Sequence, residues 1–164
     1  MIEAGILGED EHVELLEGEI VQMSPQEPPH ARATRLFNRS LGDQYIVRPQ
    51  LPLTLRDSEP EPDLAIVRAA DEASARRHPE GALLVVEVAN SSVRCDLNVK
   101  ARVYARARIP EYWLVVVRKR LVEVLRDPDP KTGVYRTHFT ASLKDTVTPQ
   151  KVRRVKLEVR SLFD

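Results

Sequence analysis

Glu87 stands inside the most apolar run of the chain, Ala82-Leu83-Leu84-Val85-Val86-Glu87-Val88-Ala89. A carboxylate in such a strand costs on the order of several kcal/mol unless it is paired, protonated or bound to a metal ion. Pairing with one of the nineteen arginines is the structural alternative. Asp63 follows Pro62 and opens the short apolar stretch Leu64-Ala65-Ile66-Val67. There its carboxylate can point into a cleft at a sheet end, or simply form a turn after proline. On the segment after Glu87, Val93, Asp96, Val103, Tyr104 and Ala107 lie at helical spacing around Lys100 and give a largely apolar face. A lysine on that face needs an acid, and the neighbouring strand offers Glu87; an exposed pair with Asp96 is the alternative. Two carboxylates and a lysine suit phosphoryl chemistry. Carboxylate oxygens take Mg²⁺ or Mn²⁺, which polarise a phosphate, while a lysine orients the attacking water or stabilises developing charge. No Gly-rich phosphate loop, Cys/His zinc spacing or serine elbow competes with this set.

The elements that must carry these residues are legible in outline. The run around Glu87 reads as a strand covered on both faces, as in the middle of an α/β sheet. Asn90-Ser91-Ser92 offers capping side chains for a helix over residues 93–108, which Pro110 ends. Strands are expected at 18–23, 63–67, 111–117, 121–125 and 134–140, with a short extended segment at 49–55. Ala33, Leu36, Phe37 and Leu41 recur at helical spacing over residues 30–41, and Arg32, Arg35 and Arg39 fall on a neighbouring stripe. The tail from Val152 to Val159 alternates weakly, as an edge strand would. This order predicts an α/β fold in which a mixed sheet is flanked by helices, in one domain over residues 1–164.

The formal net charge is zero, with 25 Lys and Arg against 25 Asp and Glu. The balance is a cancellation. Residues 1–31 hold eight acids and no Lys or Arg, so the remaining 133 residues carry a net +8. An acidic start on a basic body keeps nucleic acid open as a partner, provided most of those acids lie away from the Asp63/Glu87 cleft. Cys95 is the only cysteine, no apolar run reaches membrane length and no leader opens the chain, so a cytoplasmic location is expected.

Pro62-Asp63, then about twenty residues, then Val85-Val86-Glu87-Val88-Ala89 resembles the metal-binding core of the PD-(D/E)XK nuclease superfamily. More closely, the sequence is similar to the Uma-type putative restriction endonuclease family, a bacterial domain of unknown function. The similarity runs over roughly residues 13–126. Its pieces are Glu14-Leu15-Leu16-Glu17-Gly18-Glu19-Ile20-Val21, Met23-Ser24-Pro25, His30, Pro62-Asp63, Glu87-Val88-Ala89-Asn90-Ser91-Ser92, Asp96 to Lys100, Tyr104 and Pro110-Glu111-Tyr112-Trp113. The resemblance implies a restriction-endonuclease-like core with Asp63 and Glu87 as metal ligands and the backbone carbonyl of Val88 as a further one. The superfamily's lysine normally lies two residues after the acidic strand residue, where this chain has Ala89; Lys100 takes its place from the following helix. Glu19 completes the metal site by the same analogy, or is a surface glutamate beside a turn. His30 contacts phosphate or helps to open its helix. Relatives usually carry Ala-Gly where this chain has Ala107-Arg108, and commonly an Asp where it has Val116.

The function so implied is Mg²⁺-dependent hydrolysis of DNA phosphodiester bonds, with Mn²⁺ able to substitute. Asp63 and Glu87 hold the metal and Lys100 positions the water. Arg32, Arg35, Arg39, Arg94, Arg102 and Arg106 are candidate phosphate contacts, though each also reads as a solvated helix arginine. Nothing in the chain reads bases. A non-catalytic interaction protein on the nuclease fold, as a homodimer, is the second reading. Tyr112, Trp113 and the C-terminal strands then supply the interface, unless they are core. A phosphohydrolase of small substrates is the third.

Overall fold

The computed structural model describes residues 12–23, 28–74 and 78–164, and the side chains of all of these except 28–30 and 73–74. Six strands form the central sheet: β3 (Tyr45–Pro49), β4 (Leu64–Arg68), β5 (Leu84–Ala89), β6 (Glu111–Val116), β7 (Leu121–Asp129) and β8 (Val134–Ala141), hydrogen-bonded in that order. Only β5 and β6 run parallel. A parallel pair needs a crossover, and here the crossover is the helical segment over residues 93–106 that carries Lys100. Every residue of β5 and β6 is buried, as expected for the two central strands.

Alternation along the strands divides the core between the two faces of this sheet. One face holds Leu64, Ile66, Leu84, Val86, Val88, Trp113 and Val115, covered by α1 (Pro28–Ser40) through Ala33 and Phe37. The Phe37 and Trp113 rings lie 5.8 Å apart. The C-terminal segment closes the same face with Val152, Val155, Leu157 and Leu162. Instead of joining the main sheet as an edge strand, this tail pairs β10 (Leu157–Glu158) with β9 (Thr146–Val147) in a separate two-stranded sheet. Its buried side chains follow helix-like and extended spacings in turn, so no long period-2 strand forms. The other face holds Val85, Ala89, Tyr112, Leu114 and Val116, covered by Val103 and Tyr104 of the crossover helix and by Leu16.

Leu16 belongs to a hairpin that sequence reading recovers only in part. The expected first strand is the second arm, β2 (Glu19–Gln22), and β1 (Val13–Leu16) pairs with it antiparallel. Glu17 and Gly18 make the turn at φ 51° and 82°, the left-handed pair that two-residue hairpin loops require. A short helix, α2 (Ala69–Ser74), follows β4. Among the described residues no helix is long and apolar enough to cross a membrane.

Tyr112 and Trp113 are fully buried, so neither forms an exposed dimer surface. The Trp113 indole donates to Glu111 Oε1 at 2.7 Å, and Arg126 Nε and the Gln150 amide donate to the same carboxylate at 2.8 and 2.7 Å. Glu111 is thus a buried acid with its donors supplied, on the face opposite the crossover helix.

That helix ends in a left-handed residue. Ile109 N–H donates to Tyr104 O and Arg108 N–H to Ala105 O, the paired bonds of a Schellman cap. Arg108 sits at φ 60°, and a side chain there is strained by about 1–2 kcal/mol. Arg108→Gly should therefore stabilise the protein by about 0.5–1 kcal/mol after the entropy lost by a glycine is subtracted, read as a higher urea midpoint. A lower midpoint would contradict the cap assignment.

Candidate active site

The site is built where β4 and β5 part. Their antiparallel pairing covers Leu64 to Ile66 against Leu84 to Val86 and stops there. Beyond it the two acids take over the backbone groups that the ladder leaves behind. Val88 N–H donates to Asp63 Oδ2 at 2.7 Å, and Asp63 N–H donates to Glu87 Oε2 at 3.3 Å. The carbonyl of Ala89 faces β6, where it accepts from Val117. Backbone groups alternate between the two sides of a strand, so the Val88 carbonyl turns to the β4 side, into the opening.

Lys100 arrives from the opposite layer. The crossover helix is α-helical at Val93–Cys95, π-helical at Asp96–Lys100 and α-helical again at Ala101–Arg106. π turns recur at functional sites because they re-aim side chains within a helix. Here both Asp96 and Lys100 end up buried, and Tyr112 Oη donates to the Asp96 carbonyl at 3.3 Å. The Lys100 ammonium lies 3.0 Å from Glu87 Oε1 and 3.0 Å from Glu14 Oε1. It does not pair with Asp96 by direct hydrogen bond; the Asp96 carboxylate instead accepts from Ser92 Oγ at 2.6 Å. One turn after Lys100, Tyr104 donates its hydroxyl to Glu87 Oε1 at 2.7 Å.

A cavity of about 270 Å³ opens over these groups. Among the described residues lining it, Glu14, Glu61, Asp63, Glu87 and Asp96 are acidic and Lys100 alone is basic. That surplus shapes the titration of the site. Burial, reinforced by Asp63, Asp96 and Glu14, outweighs the pull of Lys100 and pushes Glu87 up to about 8. Burial pulls the Lys100 amine down, yet Glu87, Glu14 and Asp96 together hold it above its ordinary value. Burial also raises Asp96, partly offset by the Ser92 hydrogen bond, and raises Glu61, beside Glu14.

Asp63, Glu87, Val88 and Lys100 are thus brought together, as expected. Glu19 is not: it is exposed on β2 and does not line the cavity. Glu14, from the other arm of the hairpin, reaches Lys100 instead, and Glu61 N–H donates to its second oxygen at 3.3 Å. The signal for Glu14 was present in β1, where it shares a face with the buried Leu16. Among the described acids of the first 31 residues, Glu14 thus lines the cavity, and Glu17 and Glu19 do not. Glu17 accepts from Arg102 at 2.8 and 2.6 Å and from Arg106 at 2.6 Å, and the Arg102 hydrogen bond holds its carboxyl below the usual range. Glu3, Glu9, Asp10, Glu11 and Glu27 lie outside the described residues.

The candidate phosphate contacts scatter. Arg32, Arg35 and Arg39 ride on α1, across the sheet from the crossover helix, and do not line the cavity. The side chain of His30 lies outside the described residues. Arg102 and Arg106 are engaged by Glu17. Arg94 is exposed between Ser92 and Cys95, which do line the cavity. Arg118, which sequence reading did not single out, donates to Asn90 at the rim at 3.1 Å.

A mixed sheet opened at a paired aspartate and glutamate, with a lysine delivered from the crossover helix, defines a nuclease-like α/β domain. The chain belongs to the Uma2 family, described as putative restriction endonuclease, whose model matches residues 2–160. The crystal structure of a putative nuclease belonging to DUF820 from Anabaena variabilis ATCC 29413 has the same fold. It matches with a TM-score of 0.75 at 15% identity, covering 98% of this chain and 94% of that one. No protein of curated function matches the chain.

Glu87 rises to about 8 from an ordinary 4.5, so its contribution to stability is complete below about pH 4.5 and is lost as the pH climbs through about 8. In chelator-treated protein the urea midpoint should fall from about pH 5 to about pH 9. Glu87→Gln, neutral throughout, should remove that component. Parallel profiles for the two proteins would show that Glu87 is ionised without cost.

Proposed function

We propose that the protein is a Mg²⁺-dependent endonuclease that hydrolyses DNA phosphodiester bonds, with Mn²⁺ able to substitute. One observation carries the reading: Asp63 and Glu87 meet at an opened strand pair, in a cavity whose described lining has five acids for one lysine. Lys100 alone cannot neutralise that charge, and a phosphate would be repelled from it. A divalent cation removes both difficulties.

The donor set suits a hard, well-hydrated ion. Among the described residues no three His, Cys, Asp or Glu side chains stand as a ready cage. Mg²⁺ needs none, since it keeps several waters and binds through one or two carboxylates and substrate oxygens. Asp63 and Glu87 would hold it, with the Val88 carbonyl as a third oxygen donor. When bound, such an ion polarises the scissile phosphate and lowers the pKa of the attacking water.

The chain's own groups do the rest. Lys100, held protonated by Glu87 and Glu14, acts as a fixed cation and hydrogen-bond donor that orients water and stabilises charge growing on the phosphate oxygens. It is not a base. Glu14, 3.0 Å from the ammonium, fixes it together with Glu87. Arg94 and Arg118 are the cations best situated at the rim to take flanking phosphates.

With plasmid DNA and Mg²⁺ or Mn²⁺ the protein should cleave, and Asp63→Ala and Glu87→Ala should abolish cleavage. Lys100→Met should lower the rate by about 10²–10³-fold. Cleavage that survives loss of both carboxylates would overturn the assignment.

A further inference from the structure

Glu87 Oε1 carries more than its counter-ion. The Tyr104 hydroxyl donates to it at 2.7 Å, beside the Lys100 ammonium at 3.0 Å. The other oxygen, Oε2, lies on the Asp63 side of the cleft, 3.3 Å from the Asp63 amide nitrogen. Tyr104 is completely buried, and its ring packs on Tyr112 with centroids 5.1 Å apart, so the hydroxyl cannot wander.

The terminal torsion of a glutamate is broad and roughly two-fold. One donor on Oε1 leaves the carboxylate free to rock about that contact. Two donors arriving from different turns of one helix, at Lys100 and Tyr104, fix which oxygen faces the helix and which faces Asp63. Lys100 is itself shared with Glu14, so of the two donors on Oε1 the phenol is the one that serves Glu87 alone.

We propose that Tyr104 is a positioning residue: its hydroxyl clamps Glu87 Oε1 and thereby presents Oε2, beside Asp63, to the divalent cation. This rests on the metal-dependent reading above and adds to it a residue that touches neither substrate nor metal. Groups that hydrogen-bond a metal-ligating side chain typically contribute 10–100-fold to metal affinity, and Tyr104 belongs in that range.

The test is Mn²⁺ affinity, measured by electron paramagnetic resonance of the free ion, with folding followed by circular dichroism. Tyr104→Phe keeps the ring and removes the donor; Tyr104→Met fills the site without either and serves as the second variant. Tyr135→Phe is the control, because its hydroxyl donates to the Ile109 carbonyl at 2.9 Å, away from the cavity. Tyr104→Phe and Tyr104→Met should bind Mn²⁺ about 10–100-fold more weakly than the parent, and Tyr135→Phe should bind it equally well. Parent-like affinity in a folded Tyr104 variant would overturn the positioning role and leave the metal site standing. Equal weakening in Tyr135→Phe would assign the effect to general loosening and overturn it too. A parent protein that binds no Mn²⁺ would overturn the metal-dependent reading, and this role with it.

Discussion

A carboxylate buried at the centre of a sheet must be given partners, and the arrangement around Glu87 follows from that requirement. Its strand is buried along its whole length, so water solvates it poorly. Lys100 and Tyr104 meet one oxygen, and the backbone of Asp63 approaches the other. These partners still leave it pushed up to about 8, because burial, reinforced by Asp63, Asp96 and Glu14 in the same cavity, outweighs them. Glu111 is the instructive contrast. It is as deeply buried, yet Trp113, Arg126 and Gln150 all donate to it. One buried glutamate is a structural knot; the other is an unbalanced charge facing a cleft.

The imbalance explains the neighbouring architecture. An opened β4–β5 pair exposes backbone groups that regular pairing would hide, and each acid caps the other strand's amide. The parallel β5–β6 step demands a crossover, which puts a helix directly over Glu87. Within that helix the π turn brings Asp96 and Lys100 inward together. The N-terminal hairpin then closes the layer, with Glu14 on Lys100 and Glu17 on Arg102 and Arg106. Glu14 is therefore part of the site's wall and Glu17 of its fastening.

Glu87 and Lys100 were legible because each breaks an apolar pattern, one along a strand and one along a helix face. Asp63 was legible chiefly through the family resemblance, since a lone Asp after Pro is ordinary. Glu14 went unread because β1 and β2 are only 4 residues each, so their alternation is faint and Glu19 looked equally eligible. The π turn leaves no mark in the residue types of 96–100 and is visible only in the hydrogen bonds. The arginines' spacing places them on helices but not on a side of the sheet. α1 turned out to cover the far face, and Arg102 and Arg106 already had a carboxylate. Tyr112 and Trp113 were correctly read as core or interface, and burial decides for core.

In the proposed function, a divalent cation balances the surplus negative charge around Glu87. Calorimetric titration of chelator-treated protein with Mn²⁺ at about pH 7, repeated in two buffers of different ionisation enthalpy, tests it most directly. The account predicts saturable binding that releases protons, because the cation favours the ionised form of a carboxyl held at about 8. Binding of this kind also raises the thermal midpoint as Mn²⁺ increases. No binding heat and an unmoved midpoint at millimolar Mn²⁺ would contradict it.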